Sequence, residues 1–343
     1  MKEQAGDSLC ICGSEKQYKH CCFGKFIEFP QKNDFEASPN NLTSKINDAA
    51  KAHIEDKKPS SLKELKQELN QFFHGYNERP IDDFLSLSPT QMRSILDNLF
   101  SLKNDFFIFE YGSHFEKKTK EVPFLEQAFY FLNRLYESGA MKATQKGNLP
   151  KFFVMEFYQK FFSKEELFFT PHKEDDLPEV KRLRYILNMT GLIKKRKNKF
   201  YLTKKGTSLI KDKKIKELFN ELVLTFFNKW NWGVFDGYSE LSLIQISAVF
   251  NIHLLNKRAK NWISGEELGG VFLKAFPDLI FNVDKKSYFD PKTEVISCFH
   301  IRFLERVCLP LGFLDKKKKG RGINSKNYYK LSPFFKQHFK FSY

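Results

Sequence analysis

The chain has no long hydrophobic run. Its most apolar stretch, Leu241 to Leu255, is too short to span a bilayer and is interrupted by Gln245, Asn251 and His253. The opening Met1-Lys2-Glu3-Gln4 has no apolar region of the kind that makes a signal peptide. A soluble, cytoplasmic protein with no membrane partner is expected. Catalytic signatures are missing too. There is no Walker A loop, no G-x-G-x-x-G and no G-x-S-x-G, and His53, His74, His172, His253 and His300 are scattered without H-x-x-x-H spacing. Pro277-Asp278 with Asp284-Lys285-Lys286 mimics a magnesium-nuclease motif, but the gap is very short and no matching α/β pattern surrounds it. A surface turn is the better reading of those residues, and no enzyme is expected.

Acidic residues are also in deficit. Lys and Arg number 57 against 41 Asp and Glu, for a net charge of +16. Such a balance points to a polyanionic partner, most simply DNA or RNA. A Lys-rich genome would spread lysine evenly, whereas here it is clustered. Aromatic residues are plentiful, with 39 Phe; most are expected in the core, a minority on bases.

Cysteine is scarce except in one place. Of six cysteines, Cys10, Cys12, Cys21 and Cys22 fall close together in the spacing C-x-C-x8-C-C. Two thiolate pairs across a short loop suit one tetrahedral zinc ion, and Gly13 lets the chain turn back after the first pair. A four-thiolate shell leaves no open position, so the site is structural, with His20 outside it. Disulfides would be the reading in a short secreted chain. The remaining Cys298 and Cys308 sit on apolar stretches and are expected to be buried, inert thiols, with no Cys298–His300 pairing.

Cys10-x-Cys12-Gly13-Ser14 followed by Tyr18-Lys19-x-Cys21-Cys22 resembles the SEC-C motif, known from the tail of the bacterial preprotein translocase ATPase and from many bacterial proteins. The resemblance covers under a tenth of the chain and implies Zn2+ held by Cys10, Cys12, Cys21 and Cys22. It departs from the family at Glu15, where Gly is usual. The segment Asp83-Phe84-Leu85-Ser86-Leu87-Ser88-Pro89 to Met92 is similar to one found in other SEC-C proteins. In the translocase tail the module is associated with chaperone and ribosome contacts, so the resemblance also implies a possible protein or ribosome partner.

Residues 28–60 are polar and breaker-rich and read as a linker with a weak helix around Thr43 to Ile54. Ser61 starts a helix to about Tyr76 with Leu62, Leu65, Leu69, Phe72 and Phe73 on one face. Ser88, Pro89 and Gln91 form a capping box opening a helix to Phe100. Further on, an apolar helix stopped by Gly and followed by a strand recurs at 129–147, 183–206 and 303–333. In the second and third instances a basic turn, a second strand and a Thr- or Ser-capped helix follow, which is the back half of a winged helix.

The expected architecture is mainly α with short β-hairpins: a zinc module at 1–27, a linker at 28–60, a helical domain at 61–170, a winged-helix-like unit at 171–230 and a helical region at 231–343 ending in a second such unit. The wings carry Lys194, Lys195, Arg196, Lys197 and Lys199, then Lys316, Lys317, Lys318, Lys319 and Arg321. Cations there suit sequence-independent phosphate contact. The expected function is a zinc-containing nucleic-acid-associated protein; the competing one is a protein-interaction adaptor using the SEC-C-like module.

Overall fold

The computed structural model describes residues 42–113, 115–162, 170–234, 236–284, 287, 289–320 and 325–342. The expected zinc ligands Cys10, Cys12, Cys21 and Cys22, and also Lys285, Lys286 and Arg321, lie outside the described residues. The described chain is mainly helical, with three small antiparallel sheets.

Helix α1 (Leu42–Lys57) packs against α2 (Leu62–Glu78). The weak helix expected near Thr43–Ile54 is thus a full helix, held by a His53–Glu68 contact of 3.1 Å and by His53 against the Phe72 ring. Ser61 caps α2, its hydroxyl accepting from the Glu64 backbone N–H. Ser88 and Gln91 make the reciprocal capping box of α3 (Pro89–Asp97), a feature worth ~1 kcal/mol. Before it, Leu85 and Ser86 both have positive φ and turn the chain back so that Ile81 pairs with Leu87. His253 donates from Nε2 to the Leu85 carbonyl oxygen at 3.0 Å, fixing that turn to the body of the protein.

Two stretches then follow the same order of elements. The first runs α4 (Pro123–Ser138), β2 (Met141–Lys142), α5 (Lys151–Phe161), α6 (Pro178–Met189), β3 (Ile193–Arg196), β4 (Lys199–Leu202) and α7 (Lys204–Lys211). The second runs α10 (Ala248–Arg258), β5 (Ile263–Ser264), α11 (Gly265–Ala275), α12 (Pro291–Phe299) continued by a π-helical segment His300–Cys308, β6 (Leu314–Lys319), β7 (Lys326–Leu331) and α13 (Pro333–His338). Both sheets place the last strand in the middle, in the orders β2-β4-β3 and β5-β7-β6. Thr203 and Ser332 cap α7 and α13.

The three recurrences read in the sequence are therefore two. Residues 129–147 do not stand alone; their strand β2 pairs with β4, Met141 opposite Phe200 and Lys142 opposite Lys199. A two-residue strand has too few ladder bonds to persist without a neighbouring edge, and its partner lies far along the chain.

Between the units, α8 (Ile215–Asn228) buries Leu218, Phe219, Leu222, Val223, Phe226 and Phe227, and the short α9 (Leu243–Ile246) leads into α10. Strand β1 (Phe107–Phe109) pairs with β8 (Phe339–Phe341) beside an aromatic cluster of Phe109, Phe115, Phe219, Phe334 and Phe339. Gly312 (φ +70°) closes the second unit's helix, and a Cβ there would collide with the Glu121 carbonyl oxygen. Among the described residues no helix is long and apolar enough to cross a membrane.

Candidate nucleic-acid interface

Side chains alternate faces along a strand, so the register sorts the first hairpin's cations. Arg196 lies opposite Lys199, and the tip is Lys197-Asn198. Both tip residues have positive φ, +46° and +55°, as the two-residue turn matched to strand twist requires. Asn198 suits that conformation; Lys does not. Asn198 also donates from Nδ2 to the Ala143 carbonyl oxygen at 3.2 Å, tying the tip to the end of β2.

Lys194, Arg196 and Lys199 share the outer face with Tyr201, and β2 adds Lys142 beside Lys199. All four cations and Lys197 are exposed, and among the described residues no acidic side chain pairs with them. Lys142 was not singled out in the sequence, because only the long-range β2–β4 pairing brings it here. Lys195, exposed as well, is directed differently. It shares the inner face with Phe200, and its ammonium donates to the Gly147 carbonyl oxygen at 3.4 Å. Partial burial and the nearby Arg184 push its pKa down.

The acids nearby are used by the fold. Glu174 is buried, receives the Arg184 guanidinium at 2.5 Å and accepts from the Leu149 backbone N–H at 2.6 Å. Asp175 pairs with Lys181 at 2.6 Å, and Asp176 accepts from the backbone N–H groups of His172 and Lys173. The acidic run 174–176 therefore presents little negative charge to the hairpin.

In the second hairpin the register is Lys316 opposite Tyr329, Lys317 opposite Tyr328, Lys318 opposite Asn327 and Lys319 opposite Lys326. Lys316 faces inward and reaches Glu305 at 2.8 Å. That carboxylate, on the π-helical segment, also accepts from the Tyr329 hydroxyl and lies 3.5 Å from His300. Burial raises the Glu305 pKa, but hydrogen bonds from His300, Lys316 and Tyr329 outweigh it and hold the carboxyl at about 2. Burial, and then Glu305, push the Tyr329 hydroxyl up. Lys317 and Lys319 point outward, Lys317 over the Trp262 ring at 4.0 Å and Lys319 over the Tyr328 ring at 5.1 Å. Lys318, on the other face, is exposed.

Elsewhere the candidates lose their chemistry. Cys298 and Cys308 are buried free thiols; burial pushes Cys298 up to about 12 and raises Cys308 as well. His300 Nε2 meets the Tyr329 hydroxyl at 2.6 Å. Asp284 donates its backbone N–H to Ser239 in a turn, and its partners Lys285 and Lys286 are outside the described residues. Among the described residues no group of three or more His, Cys, Asp or Glu is arranged to hold a metal.

Residues 8–24 match the family model described as the SEC-C motif. The chain carries an N-terminal SEC-C motif. A second family model, the Y4jL N-terminal domain, matches residues 120–215, a span that contains the whole first unit from α4 to α7. No curated protein and no solved structure matches the chain. The SEC-C motif is in general a zinc-binding motif, and residues 8–24 include all four clustered cysteines. A set of four cysteines is chemically suited to one closed tetrahedral zinc site.

Proposed function

We propose that the chain is a cytoplasmic, non-enzymatic, zinc-containing protein that associates with nucleic acid through two winged-helix units. The repeated order helix, strand, helix, helix, strand, strand, helix, with the last strand central in each sheet, supports the winged-helix reading. The observation that carries the nucleic-acid reading is the first hairpin's outer face. Lys142, Lys194, Arg196 and Lys199 lie on it with no acidic partner among the described residues, and Lys197 caps it in a backbone conformation unfavourable to lysine. Like charges at this spacing repel and give folding nothing, so a polyanion is their natural complement.

Lys194, Arg196, Lys197 and Lys199, joined by Lys142, contact phosphates in this reading. Lys317, Lys318 and Lys319 do so on the second hairpin, with Arg321 just beyond. Lys195 and Lys316 instead hold their own sheets to the body. Cys10, Cys12, Cys21 and Cys22 bind one structural zinc. The unpaired thiols Cys298 and Cys308 are consistent with a reducing compartment.

The test is binding of the full chain to duplex DNA, single-stranded DNA, RNA and ribosomes across a salt titration. Affinity for nucleic acid that falls steeply with salt supports phosphate contact. Absence of such binding, with salt-insensitive capture of a ribosomal or other protein, would replace it with the adaptor reading.

A further inference from the structure

The two hairpins differ in what accompanies their cations. On the second sheet, β5 runs beside β7 with Ile263 opposite Tyr329 and Ser264 opposite Tyr328. Trp262, one residue earlier, is therefore on the outer face with Tyr328 and Lys330, and the β6 register adds Lys317 and Lys319. Trp262 is 37% exposed, whereas Trp230 and Trp232 are buried at 5% and 2%. The first sheet has no tryptophan in the corresponding place, where Met141 and Lys142 follow Gly139-Ala140.

Cations converge on that indole. Lys317 Nζ lies 4.0 Å and Lys330 Nζ 5.0 Å from its ring centroid, while Lys319 lies 5.1 Å from the Tyr328 ring. Among the described residues Asp315 lies 3.9 Å from Lys330, and Lys326 is already paired with Glu266 at 2.9 Å. Partial burial, Lys319 and Lys330 all push the Lys317 pKa down. A single cation satisfies an indole face; several crowded about two rings repel one another.

We propose that this face is a stacking platform for unpaired bases: Trp262 takes a base of a single-stranded nucleic acid, Tyr328 flanks it, and Lys317, Lys319 and Lys330 take the adjoining phosphates. The inference rests on the phosphate-contact reading above and narrows its substrate. In a duplex both faces of each internal base are covered by neighbours, so an exposed indole has nothing to stack on. An unpaired base offers a free face, and any base will serve. When the base occupies the ring, the displaced lysine ammonium stays on its flexible stem within reach of the strand's phosphate.

The test uses the full chain, with short oligo(dT), oligo(rU) and a blunt-ended DNA duplex as probes, read by anisotropy and by tryptophan emission. Trp262→Ala should weaken single-strand binding by roughly 5- to 150-fold, equivalent to about 1–3 kcal/mol for one stacked base, and leave duplex binding unchanged. Trp262→Phe should keep most of the affinity. Since the other two tryptophans are buried, the single strand should quench wild-type emission and leave that of Trp262→Phe nearly untouched. This readout does not depend on the Ala variant folding. Comparison of the two oligonucleotides assigns the strand as DNA or RNA. Duplex binding without single-strand quenching, or equal loss of both by Trp262→Ala, overturns the platform and leaves phosphate contact standing. No binding to any of the three probes overturns the phosphate-contact reading, and the platform with it.

Discussion

Met141 lies directly opposite Phe200 in the first three-stranded sheet, as Ile263 lies opposite Tyr329 in the second. In both units a two-residue strand from ahead of two helices closes the sheet on a later hairpin.

Lys197 holds φ +46° at the hairpin tip. Asn tolerates this conformation better, so Lys197→Asn should stabilise the protein by ~0.5–1 kcal/mol. The same change should weaken nucleic-acid binding. Thermal melting and a binding titration on one sample check both; a variant that is less stable, or binds as tightly, contradicts the assignment.

Replacing Lys194, Arg196, Lys197 and Lys199 with Ser should weaken binding to all sequences alike. With about 0.9 counterions released per phosphate on B-DNA, the slope of log affinity against log salt should flatten by about 3 to 4. Stability should hardly move, since exposed substitutions usually shift it by less than ~0.5 kcal/mol. Lys195→Ser serves as a comparison, because its ammonium is turned to the Gly147 carbonyl oxygen, which predicts an unchanged salt slope.

Metal analysis of the purified protein should return one zinc per chain, and a Cys10→Ser, Cys12→Ser double variant should return none. Because Cys298 and Cys308 are buried and no other donor cluster occurs among the described residues, retention of zinc in the double variant would disprove the site. The main melting transition should survive zinc removal.

Glu305 is held at about 2, below its usual 4.5, by His300, Lys316 and Tyr329 against the opposing effect of burial. A carboxyl depressed in the folded state stabilises above its unfolded pKa and loses that stabilisation as pH falls through the folded one. Wild type should therefore lose up to roughly 3 kcal/mol of stability between about pH 5 and pH 2 from this group. Glu305→Gln should be less stable at neutral pH and should show a flatter acid limb. Parallel limbs in urea titrations of the two proteins would exclude this role.

His253 gives a second acid-sensitive step. Burial lowers its pKa from 6.5 to about 4, against the opposing hydrogen bond to the Leu85 carbonyl oxygen. The unfolded chain takes up the proton first, so stability should fall as pH drops from about 6.5 to about 4. His253→Gln should remove that slope while leaving the one below it. An unaltered slope between those pH values would rule out His253 as its source.

Local signals explain what was readable in the sequence. Ser61, Ser88, Thr203 and Ser332 each cap the helix that follows through a bond to a nearby backbone N–H. Gly191 (φ +71°) ends α6 where the residue type alone marks a stop. The basic run 194–199 lies in a hairpin, as its flanking apolar residues suggested. What was missed is long-range. Strands β2, β5, β1 and β8 are too short to show a period of two, and their pairing brought Lys142 and Trp262 into the candidate site. The π-helical segment His300–Cys308 also escaped, because its turn shifts the helical period that apolar spacing reports. Nothing local distinguished Lys195 and Lys316 from the lysines beside them; only the register and their contacts to Gly147 and Glu305 set them apart.

The β1–β8 pair has a consequence for how the protein is made. Glu110 accepts through its carbonyl oxygen from His338, 228 residues further along the chain, and Phe107 and Phe109 are buried against the same terminal strand. During synthesis β1 leaves the ribosome long before β8 exists. Until then an aromatic-rich edge with unpaired backbone groups stands open to other nascent chains. The two hairpin units can close on their own schedules, but the sheet that joins Phe107 to Phe341 is a late event governed by loop closure.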